Sequence, residues 1–288
     1  MNISMEKSHA KCLLLINTLS GRGGMLDIAA IKRKLEDKYG KVDIKEIKDT
    51  AFDMNKVCKG YDYLAVGGGD GTLNNAINYV CRNNINLIYI PAGTLNDSYR
   101  NLRYVDKPEY IDLGKVGQRY FSYVLAAGTF TPIGYNTNIK LKKAIKQAAY
   151  FLAIFREYKV NRIKARISID TEQFQDEYTL IMIVNSKSVF GFGFNKLYSN
   201  HTGKAHLLLI STPKRPASFI KLFFLFFRAF FIGFNKPVQS KNLIFKEFSK
   251  LELELVHPTP FCIDGEKQVL QGSNRIVILK DGLRLLYL

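Results

Sequence analysis

The sequence predicts two domains of different class: an α/β first domain built on a mainly parallel, Rossmann-like sheet, and a sandwich-like, all-β second domain. Three observations predict it. Short apolar runs alternate with helical stretches through the first 120 residues. Period-two strand patterns dominate from about residue 121 onward. Each of three loops rich in Gly, Asn, Ser and Thr directly follows an apolar run of the first part, where ligands of parallel sheets bind, beyond the carboxyl ends of the strands.

In the first domain, residues 1–120, Lys11–Ile16 reads as a buried strand and Leu26–Lys38 as a helix. Val42–Ile47 reads as a strand, Ala51–Cys58 as a short helix, Tyr63–Val66 as a strand and Leu87–Ile90 as another. Between the last two, Leu73, Ala76, Ile77 and Val80 have helical spacing, and the helix they mark is expected to open at Thr72. The second domain, residues 121–288, carries strands at Tyr120–Leu125, Arg162–Asp170, Tyr178–Val184, His206–Ile210, Asn242–Phe248, Leu251–Val256 and Arg275–Leu279. Two helices interrupt them, Ile139–Tyr158 and the aromatic Phe219–Phe234, and residues 283–288 are placed as a return to the first domain.

Composition narrows the function classes. With 47% hydrophobic residues in 288, the chain can bury a substantial core, which excludes a disordered protein. Cys12, Cys58, Cys81 and Cys262 are scattered, as reduced packing residues are, and His9, His201, His206 and His257 lack zinc-ligand spacing. The formal charge of +17 calls for an anionic partner: membrane, nucleic acid or nucleotide. No nucleic-acid-binding motif accompanies that charge, and specific nucleic-acid binding is not expected. The first residues lack the apolar stretch of a secretory signal, so a cytoplasmic location is expected. The segment Phe219–Phe234, broken by Lys221 and Arg228, is shorter than the ~20 apolar residues of a membrane span. It fits either a helix packed on a sheet or an interfacial helix whose Lys221 and Arg228 reach lipid headgroups.

The stretch Val66–Ala76, VGGGDGTLNNA, reads as a phosphate site. Gly67, Gly68, Gly69 and Gly71 can take backbone angles closed to other residues, letting N–H groups approach a phosphate at a helix N-terminus. Asp70 beside bound phosphates makes sense as a ligand of Mg²⁺ or an acceptor of a proton, since it would otherwise repel them. The alternative is a tight strand-to-helix turn, for which three consecutive glycines are more than is needed.

With three further motifs this loop resembles the diacylglycerol kinase catalytic-domain family, in particular its soluble bacterial lipid kinases. Asn17, Ser20 and Gly21 match an Asn-Pro-x-Ser-Gly loop with Thr18 in place of proline, and Gly68–Thr72 match Gly-Gly-Asp-Gly-Thr. Gly93, Thr94, Asn96, Asp97 and Arg100 match Gly-Thr-x-Asn-Asp-x-x-Arg, and Asp264, Gly265 and Glu266 match a late Asp-Gly-Glu. The resemblance implies an ATP- and Mg²⁺-dependent kinase of diacylglycerol or a similar membrane lipid, with an NAD-kinase-like nucleotide domain and an active site between the domains. ATP would be held by Asn17, Ser20, Gly21, Gly68, Gly69, Asp70, Gly71, Thr72, Asn74, Thr94, Asn96, Asp97 and Arg100, with Asp70 and Asp97 near the metal.

Glu266, Asp70 and Asp264 are the catalytic candidates. The resemblance makes Glu266 the acceptor of the lipid hydroxyl proton, with Asp70 the runner-up. Asp264 and Gly265 also form a common hairpin signal, which taken alone would leave Glu266 exposed. Asn96 and Asp97 can equally cap a helix at Ser98. Where relatives of this kind often carry an acidic pair, residues 199–204 read Ser-Asn-His-Thr-Gly-Lys, which argues against a structural Mg²⁺ there. The expected partners are ATP and a lipid at an anionic membrane surface, met peripherally; a homodimer is left open. A soluble-substrate kinase such as an NAD kinase, and a silent lipid- or nucleotide-binding regulator, are the competing readings.

Overall fold

The computed structural model describes residues 10–19, 23–48, 52–92, 110–129, 162–189, 191–213, 219–286 and 288. The chain forms two compact units, one of Met1–Ile111 with Gly282–Leu288 and one of Asp112–Asp281. The expected helix Ile139–Tyr158 lies outside the described residues.

In the first unit, β1 (Lys11–Asn17), α1 (Ile28–Tyr39), β2 (Lys41–Ile47), α2 (Met54–Val57), β3 (Tyr63–Gly68), α3 (Asp70–Asn83) and β4 (Asn86–Pro91) follow in order. β2, β1, β3 and β4 pair side by side, all parallel, and Leu285 and Leu286 extend the sheet in parallel beyond Leu87 and Ile88. Cys12 to Ile16 are wholly buried, the pattern of a central strand covered on both faces. β2 mixes apolar and charged residues and, among the described residues, pairs only with β1, so it tolerates the exposed Ile44. Asp27 caps α1 by accepting the Ala30 N–H at 2.9 Å, and Gly40 ends it with φ 86°.

Helix α3 starts at Asp70, two residues before the expected Thr72, because Gly69 serves as the extended N-cap. An acidic residue in the first turn faces the positive end of the helix, so Asp70 joins it favourably. Asn84 closes the other end in the left-handed conformation, φ 53°, its N–H bonded to Val80 O.

The second unit contains β5 (Tyr110–Val116), β6 (Arg119–Phe121), β7 (Val124–Gly128), β8 (Ile163–Ile169), β9 (Glu172–Val184) and β10 (Ala205–Ser211). After these come α4 (Phe219–Phe227), continuing into a π-helical turn (Arg228–Ile232), then β11 (Val238–Gln239), β12 (Leu243–Phe248), β13 (Lys250–Ile263) and β14 (Glu266–Leu286), of which the residues from Gly282 on belong to the first unit. The pairing is antiparallel: β11 with β12, β12 with β10, β10 with β9, and β13 with β14. β7 and β8 each pair with both β9 and β13.

Strand alternation sorts the side chains onto two buried faces. Leu125, Ala127, Ile181, Ile183, Leu207 and Leu209 join one cluster, which Leu253, Phe261 and Ile276 complete from β13 and β14. Their sequence neighbours Val124, Ala126, Leu180, Met182, Leu208 and Ile210 join the other. That second face is covered by the aromatic helix through Leu222, Phe226, Ala229 and Phe230, so an all-β description of this unit is incomplete. Among the described residues, no helix is long and apolar enough to cross a membrane.

Candidate functional site

The carboxyl end of β1 places Asn17, whose Nδ2 donates to Thr72 Oγ1 at 2.8 Å while its Oδ1 accepts the Leu19 N–H at 3.0 Å. The Asn17 loop and the glycine-rich turn, 55 residues apart in sequence, are thereby one local structure. Thr18 fills the proline position of the motif by donating its hydroxyl to Ile47 O at 3.0 Å. Ser20 and Gly21 lie outside the described residues, as do Gly93, Thr94, Asn96, Asp97 and Arg100.

The glycines of the turn act differently from the expectation. None of Gly67, Gly68, Gly69 or Gly71 takes a positive φ. Their requirement is close approach. A Cβ on Gly67 would lie 2.8 Å from Ile16 Cδ1, and one on Gly68 would lie 2.5 Å from Thr72 Oγ1. Gly68 O accepts two hydrogen bonds, from the Ala92 N–H at 2.8 Å and the Tyr89 hydroxyl at 3.1 Å, which ties the turn to β4. The start of α3, where a helix leaves N–H groups without intrahelical acceptors and carries partial positive charge, follows directly. Asp70, half-buried, is its first residue. Asn74 is buried one turn on, where it accepts from Asn78 Nδ2 at its carbonyl (2.9 Å) and at Oδ1 (3.3 Å). No group of three or more His, Cys, Asp or Glu among the described residues could hold a metal ion.

In the second unit, Asp264 and Gly265 form a two-residue hairpin loop flanked by the Ile263–Glu266 pair. Both have positive φ, 47° and 96°, as a type I′ turn demands. The hairpin signal and the Asp-Gly-Glu motif therefore coincide, but Glu266 is half-buried rather than exposed. Asp264 is wholly buried. Its Oδ2 accepts from Ser122 N at 2.5 Å and Ser122 Oγ at 2.9 Å, and its Oδ1 from Val124 N at 2.9 Å and Tyr123 N at 3.1 Å. Burial pushes this carboxyl above the usual aspartate range, and the four donors pull it back. Both oxygens are engaged by the β6–β7 connection, so Asp264 pins the hairpin and thereby the position of Glu266.

A second buried aspartate belongs to no motif. Asp112, in β5, accepts from Thr202 N at 2.9 Å and Gly203 N at 2.8 Å on Oδ2, and from Asp281 N at 2.8 Å on Oδ1. Its own N–H donates to Asn200 Oδ1 at 2.9 Å, and its carbonyl accepts from Asn185 Nδ2 at 2.8 Å. The acid-free loop at residues 199–204 is thus folded around a carboxylate that comes from elsewhere in the chain. His201 Nδ1 meets Asp281 Oδ1 at 2.5 Å on its outer side. The one sequence signal is an aspartate between the apolar Ile111 and Leu113 of the strand YIDLGKV.

Residues 11–117 match the family described as the diacylglycerol kinase catalytic domain. A curated diacylglycerol kinase of Staphylococcus saprophyticus subsp. saprophyticus is 32% identical over 187 residues, covering 56% of this chain and 61% of that protein. One of Staphylococcus haemolyticus is 32% identical over 147 residues, 46% of this chain and 44% of that protein. The chain thus spans 61% and 44% of the length of these two curated relatives. Among solved structures, one of Bacillus anthracis str. Sterne superposes with a TM-score of 0.71 at 20% identity, over 100% of this chain and 98% of that chain. A crystal structure of a diacylglycerol kinase from the same strain gives 0.65 at 19%, over 96% and 97%. At such identity the structural likeness is one of fold. The stretch that holds the Asn17 loop and the glycine-rich turn is the part of the chain that is similar to the diacylglycerol kinase catalytic domain.

Proposed function

We propose that this protein is an ATP-dependent lipid kinase that transfers the γ-phosphoryl group to a hydroxyl of diacylglycerol or a similar membrane lipid, acting peripherally at an anionic membrane. The observation that carries the reading is the Asn17–Thr72 hydrogen bond, which joins two nucleotide-loop motifs at the start of α3 inside the family match. Backbone N–H groups at that helix start suit the ATP phosphates, and the close-packed Gly67 and Gly68 hold the turn in place. Asp70, Thr94, Asn96, Asp97 and Arg100 are assigned to the nucleotide by the motif alone.

Asp70 has the hard oxygen donors that Mg²⁺ takes, and Asp97 is its proposed companion. When bound with ATP, that ion would neutralise charge on the phosphates. Glu266 accepts the proton of the lipid hydroxyl as its oxygen bonds to the γ-phosphorus and the bond to the ADP oxygen breaks. Asp264 is a positioning residue, since its oxygens are held by Ser122, Tyr123 and Val124.

The test supplies purified protein with Mg²⁺, γ-labelled ATP and either diacylglycerol in mixed micelles or NAD. Label is expected in the lipid, lost with Asp70→Ala and reduced about 10²- to 10⁴-fold by Glu266→Gln. Label in NAD, or in neither acceptor, would overturn the reading.

A further inference from the structure

One face of α4 and its π-helical turn is buried and the other faces water. Leu222, Phe226, Ala229 and Phe230 pack into the cluster that contains Phe192, Phe194, Phe234 and Phe245. Ile220, Phe224, Phe227, Phe231 and Ile232 remain 38% to 67% exposed. The spacing of Ile220, Phe224, Phe227 and Phe231 places them along one side of the helix. Stacking orders that side: the Phe227 and Phe231 rings lie 5.1 Å apart at 14°, and Phe223 and Phe227 lie 6.3 Å apart at 20°. A contiguous aromatic surface of this kind marks an interaction site.

The surrounding charge specifies the partner. Between Tyr178 and Lys246 the sequence has ten lysines and arginines and no aspartate or glutamate. Lys204 and Lys246 pair with Glu247 and Glu172. Lys221 is exposed on α4, and Lys196 and Lys236 are exposed on either side of the backbone pair that Lys196 N makes with Phe234 O at 3.0 Å. Apolar residues rimmed by cations fit the boundary between headgroups and acyl chains of an anionic bilayer, where burial and charge attraction add. A second copy of the same face would instead bring like charges together.

We propose that this exposed face is a membrane-docking surface: Ile220, Phe224, Phe227, Phe231 and Ile232 enter the acyl boundary of an anionic leaflet, while Lys196, Lys221 and Lys236 meet its headgroups. Arg228 is not one of these cations, although the interfacial-helix alternative read from the sequence included it. Its guanidinium donates to Gly233 O and lies 5.0 Å from the centre of the Phe234 ring, which caps the π-helical turn. The inference rests on the lipid-kinase reading for the purpose of docking, but docking itself is measurable without catalysis.

The experiment is co-sedimentation of the full chain with vesicles of phosphatidylcholine alone or mixed with phosphatidylglycerol, without ATP or diacylglycerol. Binding is expected only to the anionic vesicles and is expected to weaken as salt rises. Phe224→Asp with Phe231→Asp should lower partitioning at least about tenfold, because it removes buried apolar area and adds anionic charge. Circular dichroism and thermal unfolding confirm that this variant is folded; Lys221→Glu with Lys236→Glu gives a second reading that leaves the aromatics intact and should abolish the preference for anionic vesicles. Undiminished binding by both variants overturns the proposal, as does a wild-type dimer that the phenylalanine variant dissociates. Vesicle binding without any lipid phosphorylation would leave docking standing and remove the kinase reading, and phosphorylation without vesicle binding would do the reverse.

Discussion

Asn17 Nδ2 donates to Thr72 Oγ1 at 2.8 Å, closing the loop after β1 onto the first turn of α3. Thr72→Val keeps the shape of the side chain but removes the acceptor of this part-buried hydrogen bond. A loss of about 1 kcal/mol in stability is expected, read from the urea midpoint. If the bond also sets the nucleotide site, ATP affinity falls about tenfold. A double-mutant cycle with Asn17→Ala should show coupling of at least about 0.5 kcal/mol, and simple additivity would mean that the bond contributes nothing.

Gly68 is fixed by the same threonine. Its missing Cβ would sit 2.5 Å from Thr72 Oγ1 and 2.6 Å from Thr72 Cβ, and Thr72 is buried and already bonded to Asn17. Gly68→Ala is expected to cost about 1–3 kcal/mol, as overpacking does. Gly24→Ala is the control: no heavy atom lies within 4 Å of its Cβ position, so its thermal midpoint should be unchanged or slightly raised. Equal losses for the two variants would refute close approach as the reason for glycine at position 68.

Continuous apolar runs make β1, β3 and β4 legible in the sequence, because strands buried on both faces carry them and these runs are too short for helices. Helix bounds were less legible. The glycines before Asp70 look like loop, yet Gly68 is the end of β3 and Gly69 the cap of α3. β9 begins at Glu172 rather than Tyr178 because its polar first half is held by hairpin pairing with β8, a cause that hydrophobic periodicity does not report. The same limit applies to Asp112. Its donors, Thr202, Gly203 and Asp281, come together only through the tertiary fold, so no spacing rule identifies it. Asp264 and Glu266 stand out as candidates in the sequence because their motif is local, although the four hydrogen bonds to Asp264 come from Ser122 to Val124, far away in sequence.

His206 makes stability depend on pH. It is buried, stacked on Phe245 with centroids 5.0 Å apart, and its Nδ1 lies 3.2 Å from Asn195 Nδ2, an arrangement in which the neutral ring accepts the amide proton. Burial lowers its pKa from 6.5 to about 4, against the opposing pull of Glu247, which Lys204 partly offsets. The folded state therefore binds this proton less readily than the unfolded chain does. Its contribution is fully present above the ordinary histidine value and is lost as pH falls from 6.5 toward about 4, on the order of 3 kcal/mol in all. His206→Asn, which keeps an acceptor near Asn195 but does not titrate, should flatten the urea midpoint across that window. An unchanged slope would assign the acid sensitivity to another group.

Asp264→Asn tests whether the hairpin is held by hydrogen bonds or by shape. Each carboxylate oxygen accepts two donors, Ser122 N and Oγ on one side and Tyr123 N and Val124 N on the other. An amide of the same size replaces one oxygen with a donor, so in either orientation at least one backbone N–H of the β6–β7 connection loses its acceptor, at about 1–3 kcal/mol for each unsatisfied group; the Ser122 hydroxyl can turn to accept instead. A drop in stability of at least about 1 kcal/mol is expected, with the hairpin loosened more than the first unit. Hydrogen exchange should show this as faster exchange at Ser122 to Val124 and Glu266 and unchanged protection in β1 and β3. Because Glu266 follows the turn directly, the proposed lipid-kinase reading expects transfer to lipid to fall through kcat while ATP affinity, which that reading assigns to residues of the first unit, stays constant. A variant with wild-type stability and kcat would show that the type I′ backbone of Asp264 and Gly265 is sufficient and that the buried carboxylate positions nothing.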